Sequence, residues 1–182
     1  MTSVPSSRRI LYEVAEPHSG WFRASEAVAA GVPRQQLARY AARRVLQRST
    51  YGVYRFCDFP ARPFEDVIEA CLWAGQNAVA SHETALAIYG LGDAMPASIH
   101  ITVARRFRKQ RTGISVHVAP VPVHDITTRN DVPITSVERT IRDVGAEAGS
   151  DDVASLIGEA EDRGLLRHQE ARRLRKASGL TT

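Results

Sequence analysis

Residues 20–56 read GWFRASEAVAAGVPRQQLARYAARRVLQRSTYGVYRF, and their punctuation predicts two short helices across a tight turn, then a hairpin. The turn is Gly31-Val32-Pro33. A glycine suits the left-handed residue just past a helix end, and a proline suits the first turn of the next helix. The helices are therefore expected over residues 24–30 and from 33 to about 43. A 3.6-residue period gathers Leu37, Ala41 and part of Tyr40 on one face of the second helix, and Gln35, Gln36, Arg39 and Arg43 on the other. The first set packs; the second is free to read base edges, Arg bidentate to guanine and Gln to adenine. Residues 45–48 and 53–56 hold enough β-branched and aromatic side chains for two strands, with Ser49, Thr50, Tyr51 and Gly52 as their turn. This is the plan of a winged helix-turn-helix. It directs Arg34, Gln35, Gln36, Arg39 and Arg43 to the major groove, and Arg48, Ser49, Thr50 and Arg55 to phosphate or the minor groove.

Working outward, residues 6–15 (SSRRILYEVA) predict a preceding helix with Ile10, Leu11 and Val14 as its apolar stripe and Ser6 or Ser7 as its cap. Residues 17–20 break it, and Trp21 and Phe22 read as core aromatics. Residues 1–60 carry nine arginines against four carboxylates, net +5 in a chain of net +4, so the remaining residues sum to −1. Basic charge gathered on helix-turn-helix geometry is what a phosphate-binding surface requires.

Residues 57–63 (CDFPARP) form the best linker. Beyond it, helices are expected over 64–74 and over 81–89, the latter with Ser81 as cap and Gly90 as stop. Strands are expected over 98–104 and 113–119, and shorter ones over 126–135, broken at Asn130, Asp131 and Pro133. Helices over 136–146, 151–163 and 168–177 close the chain. The fold class is α+β: an N-terminal winged helix-turn-helix over 1–60, then a mixed α+β domain over 61–182. Between the strands at 98–104 and 113–119 lies RRFRKQR, with Arg105, Arg106, Arg108, Lys109 and Arg111 as five positive charges in seven residues. Three readings stand for this second basic patch: further DNA contact, charge presented to an acidic partner such as a toxin or its RNA substrate, or a solvated hairpin tip.

The composition, 43% hydrophobic and 24% charged, is that of a soluble globular protein, and no apolar run is long enough for a membrane span. The first ten residues lack an apolar signal core, which points to the cytoplasm. Cys57 and Cys71 read as two reduced thiols rather than a disulfide framework. Candidate chemistry is thin. His82-Glu83 is spaced like the start of a zinc-protease helix, but Leu86 stands where the second histidine would fall. This leaves His82 as a polar cap or a packed side chain. His100 and His117 alternate on strands and can face one another, a pair without a third metal ligand. Gly90-Leu91-Gly92 lacks the remaining glycine and the preceding strand of a phosphate loop. Asp151-Asp152 suit a helix N-terminus, Glu159, Glu161 and Asp162 a solvated face, and Arg172, Arg173, Arg175 and Lys176 a helix C-terminus. No catalytic residue, metal or cofactor is expected, and the chain does not read as an enzyme.

Over most of its length the sequence resembles the AbiEi-type antitoxins of type IV toxin-antitoxin, or abortive infection, systems. The residues that carry the resemblance are Ala29-Ala30-Gly31-Val32 before a basic helix and Gly52-Val53-Tyr54-Arg55 closing the hairpin. Further on they are Ser81 to Leu86 leading to Tyr89-Gly90-Leu91, Ile101-Thr102-Val103, and Val132 to Ser136 with Arg139, Thr140 and Asp143. The resemblance implies an N-terminal domain that binds double-stranded operator DNA and represses the antitoxin-toxin operon. It also implies a C-terminal domain that counteracts a cognate nucleotidyltransferase-like toxin. Two alternatives remain open: an antitoxin that acts enzymatically on its toxin as an atypical kinase, and a winged-helix adaptor that binds protein.

Overall fold

The computed structural model describes residues 6–50, 52–146 and 149–180. Its architecture is mixed α+β, with one three-stranded and one five-stranded sheet. Contacts divide the described residues into two compact units. One runs to Gln76 and includes Asn130–Val132; the other comprises Asn77–Arg129 and the chain from Pro133.

In the first unit the order is α1 (Ser7–Ala15), β1 (Trp21–Arg23), α2 (Ala24–Ala29), α3 (Arg34–Ala42), β2 (Leu46–Arg48), β3 (Val53–Phe56) and α4 (Glu65–Ala74). Ser6 caps α1, its hydroxyl accepting from Arg9 N at 3.3 Å. Gly31 ends the α2 turn at φ +90°, a left-handed value that costs a glycine nothing, and Pro33 becomes the residue just before α3. Leu11, Phe22, Ala27, Leu37, Leu46 and Phe56 interlock as the core, with Tyr40 and Tyr54 packed against it. Of the apolar stripes expected for α1 and α3, Leu11 and Leu37 are buried and Ile10, Val14 and Tyr40 pack half-buried against the core.

Trp21 and Phe22 do pack, but as part of a strand that the sequence does not predict. β1 pairs antiparallel with β3, Phe22 opposite Tyr54, and β3 pairs with β2 on its other side. Three residues are too few to show alternation, and only the β3 ladder fixes them as a strand. Tyr51, expected in the hairpin turn, lies outside the described residues.

The boundary expected at residue 60 also moves. α4 packs on β1 and β3, so it belongs to the first unit rather than the second. Two polar ties explain this: Arg55 forms a 2.7 Å ion pair with Glu65, and Ser49 Oγ donates to Glu69 at 2.6 Å. With α4 and Asp131 included, the first unit has ten arginines against eight carboxylates, net +2, the same as the second. The charge asymmetry expected between the two halves therefore disappears at the level of whole units.

The second unit contains β4 (Val79–Ala80), α5 (His82–Tyr89), β5 (Ile99–Val103), β6 (Ile114–Val118), β7 (Ile126–Arg129) and β8 (Val132–Thr135, shared at Val132 with the first unit). It closes with α6 (Val137–Gly145), α7 (Ser150–Asp162) and α8 (His168–Ala177). The strand order is β6-β5-β4-β8-β7. β4 runs antiparallel to β5 and parallel to β8, and β5 and β6 are parallel. Ile101 and Ile134 of the sheet and Ile141, Ile157 and Leu174 of the helices are fully buried. The Tyr89 hydroxyl donates to the Thr135 carbonyl at 2.8 Å, and the Thr135 and Thr140 hydroxyls lie 2.7 Å apart. Burial pushes the Tyr89 phenol up to about 12. Ser136 caps α6 through Arg139 N. Arg139 in turn bonds Asp143 at 2.7 Å and pairs with Asp125 at 3.4 Å. Most of the polar residues that carry the family resemblance here therefore hold the fold together.

Candidate nucleic-acid interface

α3 presents its two faces as the 3.6-residue period requires. Leu37 is fully buried and Tyr40 and Ala41 half-buried, whereas Arg34, Gln35, Arg39 and Arg43 are exposed; Gln36 is intermediate. What distinguishes these arginines from the rest of the unit is their pairing. Arg8 meets Asp58 at 2.7 Å, Arg9 meets Glu13 at 3.1 Å and Arg23 meets Glu26 at 2.8 Å. Arg55 meets Glu65. Arg34, Arg39 and Arg43, with Arg44 beyond the helix end, have no acidic partner among the described residues. These ion pairs engage Arg8, Arg9, Arg23 and Arg55 and none of the arginines of α3.

Arg44 is absent from the set predicted by sequence because a helical face stops where the helix stops. It takes a left-handed backbone, φ 56°, and stays exposed beside Arg43. Arg48, on β2, is exposed as expected.

The turn and β3 depart from expectation. Arg55 is not available to phosphate: its side chain is only 13% exposed. Besides Glu65 it donates to the carbonyls of Phe56 and Phe59 and lies over the Trp21 ring, 5.8 Å from its centroid. Ser49 is held by Glu69, and the Thr50 hydroxyl oxygen is buried. The partners responsible, Glu65 and Glu69, lie on a helix assigned by sequence to another domain.

In the second unit the basic segment 105–111 is not a hairpin tip, because β5 and β6 run parallel. The chain must return the length of a strand between them, and residues 104–113 form that crossover without a helix. Arg105, Arg106, Arg108 and Lys109 are exposed and lack acidic partners among the described residues, while Arg111 is half-buried. Glu159 and Glu161, expected on a solvated face, are engaged. Glu159 accepts from Gly92 N and pairs with Arg163; Glu161 binds His168 and Arg175.

The histidines come together more closely than their spacing suggests. His100 Nδ1 lies 3.1 Å from His117 Nε2, and the His82 ring, from α5, stacks on His117 with centroids 3.6 Å apart. Glu83 Oε2 lies 3.1 Å from His100 Nδ1 but off the line a hydrogen bond needs. Burial, and then the neighbouring His117, lower the His82 pKa below its usual value. Among the described residues no three His, Cys, Asp or Glu side chains are arranged to hold a metal ion, and no helix is long and apolar enough to cross a membrane.

No family model matches the chain, and no curated protein does. Similar solved structures include one of a mycobacterial protein. It is the crystal structure of RV2827C protein from Mycobacterium tuberculosis, 15% identical with a TM-score of 0.49, covering 97% of this chain and 73% of that one. A likeness at that level decides neither family nor function.

Proposed function

We propose that the first unit is a winged helix-turn-helix that binds double-stranded DNA through α3. We further propose that the chain is an autorepressing antitoxin whose cognate toxin is nucleotidyltransferase-like. The observation that carries the DNA reading is the row of exposed arginines on and just after α3, unpaired while the unit's other arginines named above are paired. The element order α-β-α-α-β-β supports it, with α3 in the place of a recognition helix and the β2–β3 hairpin as the wing. Operator and toxin rest on the family resemblance.

Arg34, Gln35 and Arg39 address base edges, and Arg43, Arg44 and Arg48 meet phosphate. With these three phosphate contacts, log affinity for a duplex from upstream of its own reading frame falls against log salt with a slope of about −3. A fluorescence titration at several salt concentrations measures it, and a slope near zero overturns the assignment. Replacing Gln35 and Arg39 by alanine relaxes sequence preference by about 1–3 kcal/mol per lost base contact. Equal loss on every sequence would mean that another element enters the groove.

A further inference from the structure

β6 is the outer strand of its sheet, and nothing about it discourages pairing. Its sequence, ISVHV, has no proline and no fixed charge, the usual means by which an edge is protected. The ladder to β5 includes Gly113 O, which accepts from Ile99 N at 2.8 Å, and Ala119 N, which donates to Val103 O at 3.1 Å. Because backbone groups alternate from side to side along a strand, residues 113, 115, 117 and 119 face β5. The N–H and C=O of Val116 and Val118 are thereby directed outward, whereas the Ile114 N–H is taken by the Arg111 carbonyl at 3.1 Å. On one face of the same strand Ile114 and Val116 are half-exposed and Val118 is 56% exposed.

The crossover at 104–113 adds charge to this edge. Together with Ile114 and Val116 it walls a groove of about 570 Å³, lined also by Phe107, Lys109 and Arg111. Apolar Phe107, Ile114 and Val116 and cationic Lys109 and Arg111 share its lining.

We propose that this edge is a docking site for an acidic, extended polypeptide segment that adds to β6 as a sixth strand. Main-chain bonds to Val116 and Val118 would give affinity, and alternate apolar side chains would enter the groove beside Ile114 and Val116. Carboxylates on the segment would meet Arg105, Arg106, Arg108 and Lys109. A second copy of this chain is a poor occupant, because edge-to-edge pairing of two β6 strands brings two cationic crossovers together. A nucleic-acid strand would use the cations but leave the outward amides and the valine row unused. This site is separate from α3 and does not depend on the DNA reading.

The test is hydrogen exchange on the full chain with a synthetic peptide of alternating glutamate and valine, long enough to span β6. The peptide is expected to protect the amides of Val116 and Val118. Its affinity should weaken roughly tenfold or more as salt rises from about 0.1 M to about 1 M and the screening length shrinks from about 10 Å to about 3 Å. Val116→Pro removes an outward N–H while sparing the ladder, and should abolish binding with the unfolding transition retained; Arg106→Glu with Arg108→Glu should do the same. Absence of protection at β6 overturns the proposal. So does equal binding of a lysine-valine peptide, protection by self-association in the absence of peptide, or binding of single-stranded oligouridylate in preference to the acidic peptide.

Discussion

His82 begins α5 with a left-handed backbone, φ 51°, a conformation that costs a non-glycine residue about 1–2 kcal/mol. Its Nδ1 lies 3.0 Å from the buried Ser81 hydroxyl. His117 from β6, His100 from β5, Asp143 from α6 and its neighbour Glu83 all bear on its titration. Burial and His117 favour the neutral ring, and the two carboxylates oppose them without reversing the direction. The folded pKa lies below the unfolded value, so the unfolded chain binds the proton first as pH falls through 6.5. The stability due to a neutral His82 is therefore complete above that pH and declines below it. Urea midpoints measured from pH 8 to 5 should fall on the acid side, and His82→Gln should flatten that fall. An unchanged pH profile in the variant would show that His82 is not the responsible group.

At the scale of elements, α4 is tied to β3 by an ion pair that sequence could not foresee. Arg55 is buried against Glu65, and both side chains are largely sequestered, 13% and 22% exposed. Removing the acid alone leaves a guanidinium with three backbone carbonyls and no counter-charge. Glu65→Ala should cost about 3 kcal/mol, read from chemical denaturation, whereas Glu13→Ala on exposed α1 should cost less than about 1 kcal/mol. Similar costs for the two would mean that α4 is not held by this pair. Gly20 fixes the entry to β1 by a different means. It takes φ +90°, and an added Cβ would sit 2.5 Å from the Phe59 ring, so only glycine leaves room for that ring.

For the whole molecule, charge acts locally rather than through the net sum, since both units carry +2. If α3 supplies the DNA contacts, removing Arg43 and Arg44 should reduce the magnitude of the salt slope by about two. Removing the exposed Arg172 and Arg173 of α8 lowers net charge equally and should leave the slope unchanged. Equal effects in the two double variants would return the binding to non-specific attraction by the whole protein.

The sequence by itself determined the elements whose signal is local. α2, the Gly31 turn and α3 follow from glycine and proline chemistry and from a 3.6-residue period, and so do the buried and exposed faces of α3. The helices of the second unit and four of its strands were legible in the same way, to within a residue or two at their ends, but β4, two residues held between β5 and β8, was not, and Pro133, expected to break a strand, lies inside β8. Tertiary structure decided what depends on partners distant in sequence. Trp21–Arg23 became a strand only against β3, and Arg55 turned inward only because Glu65 stands beside it. The 105–111 segment became a crossover only because β5 and β6 pair in parallel. Periodicity reports which face of an element is apolar; which carboxylate neutralises which arginine, and in which direction two strands run, are set by packing between segments that share no local signal.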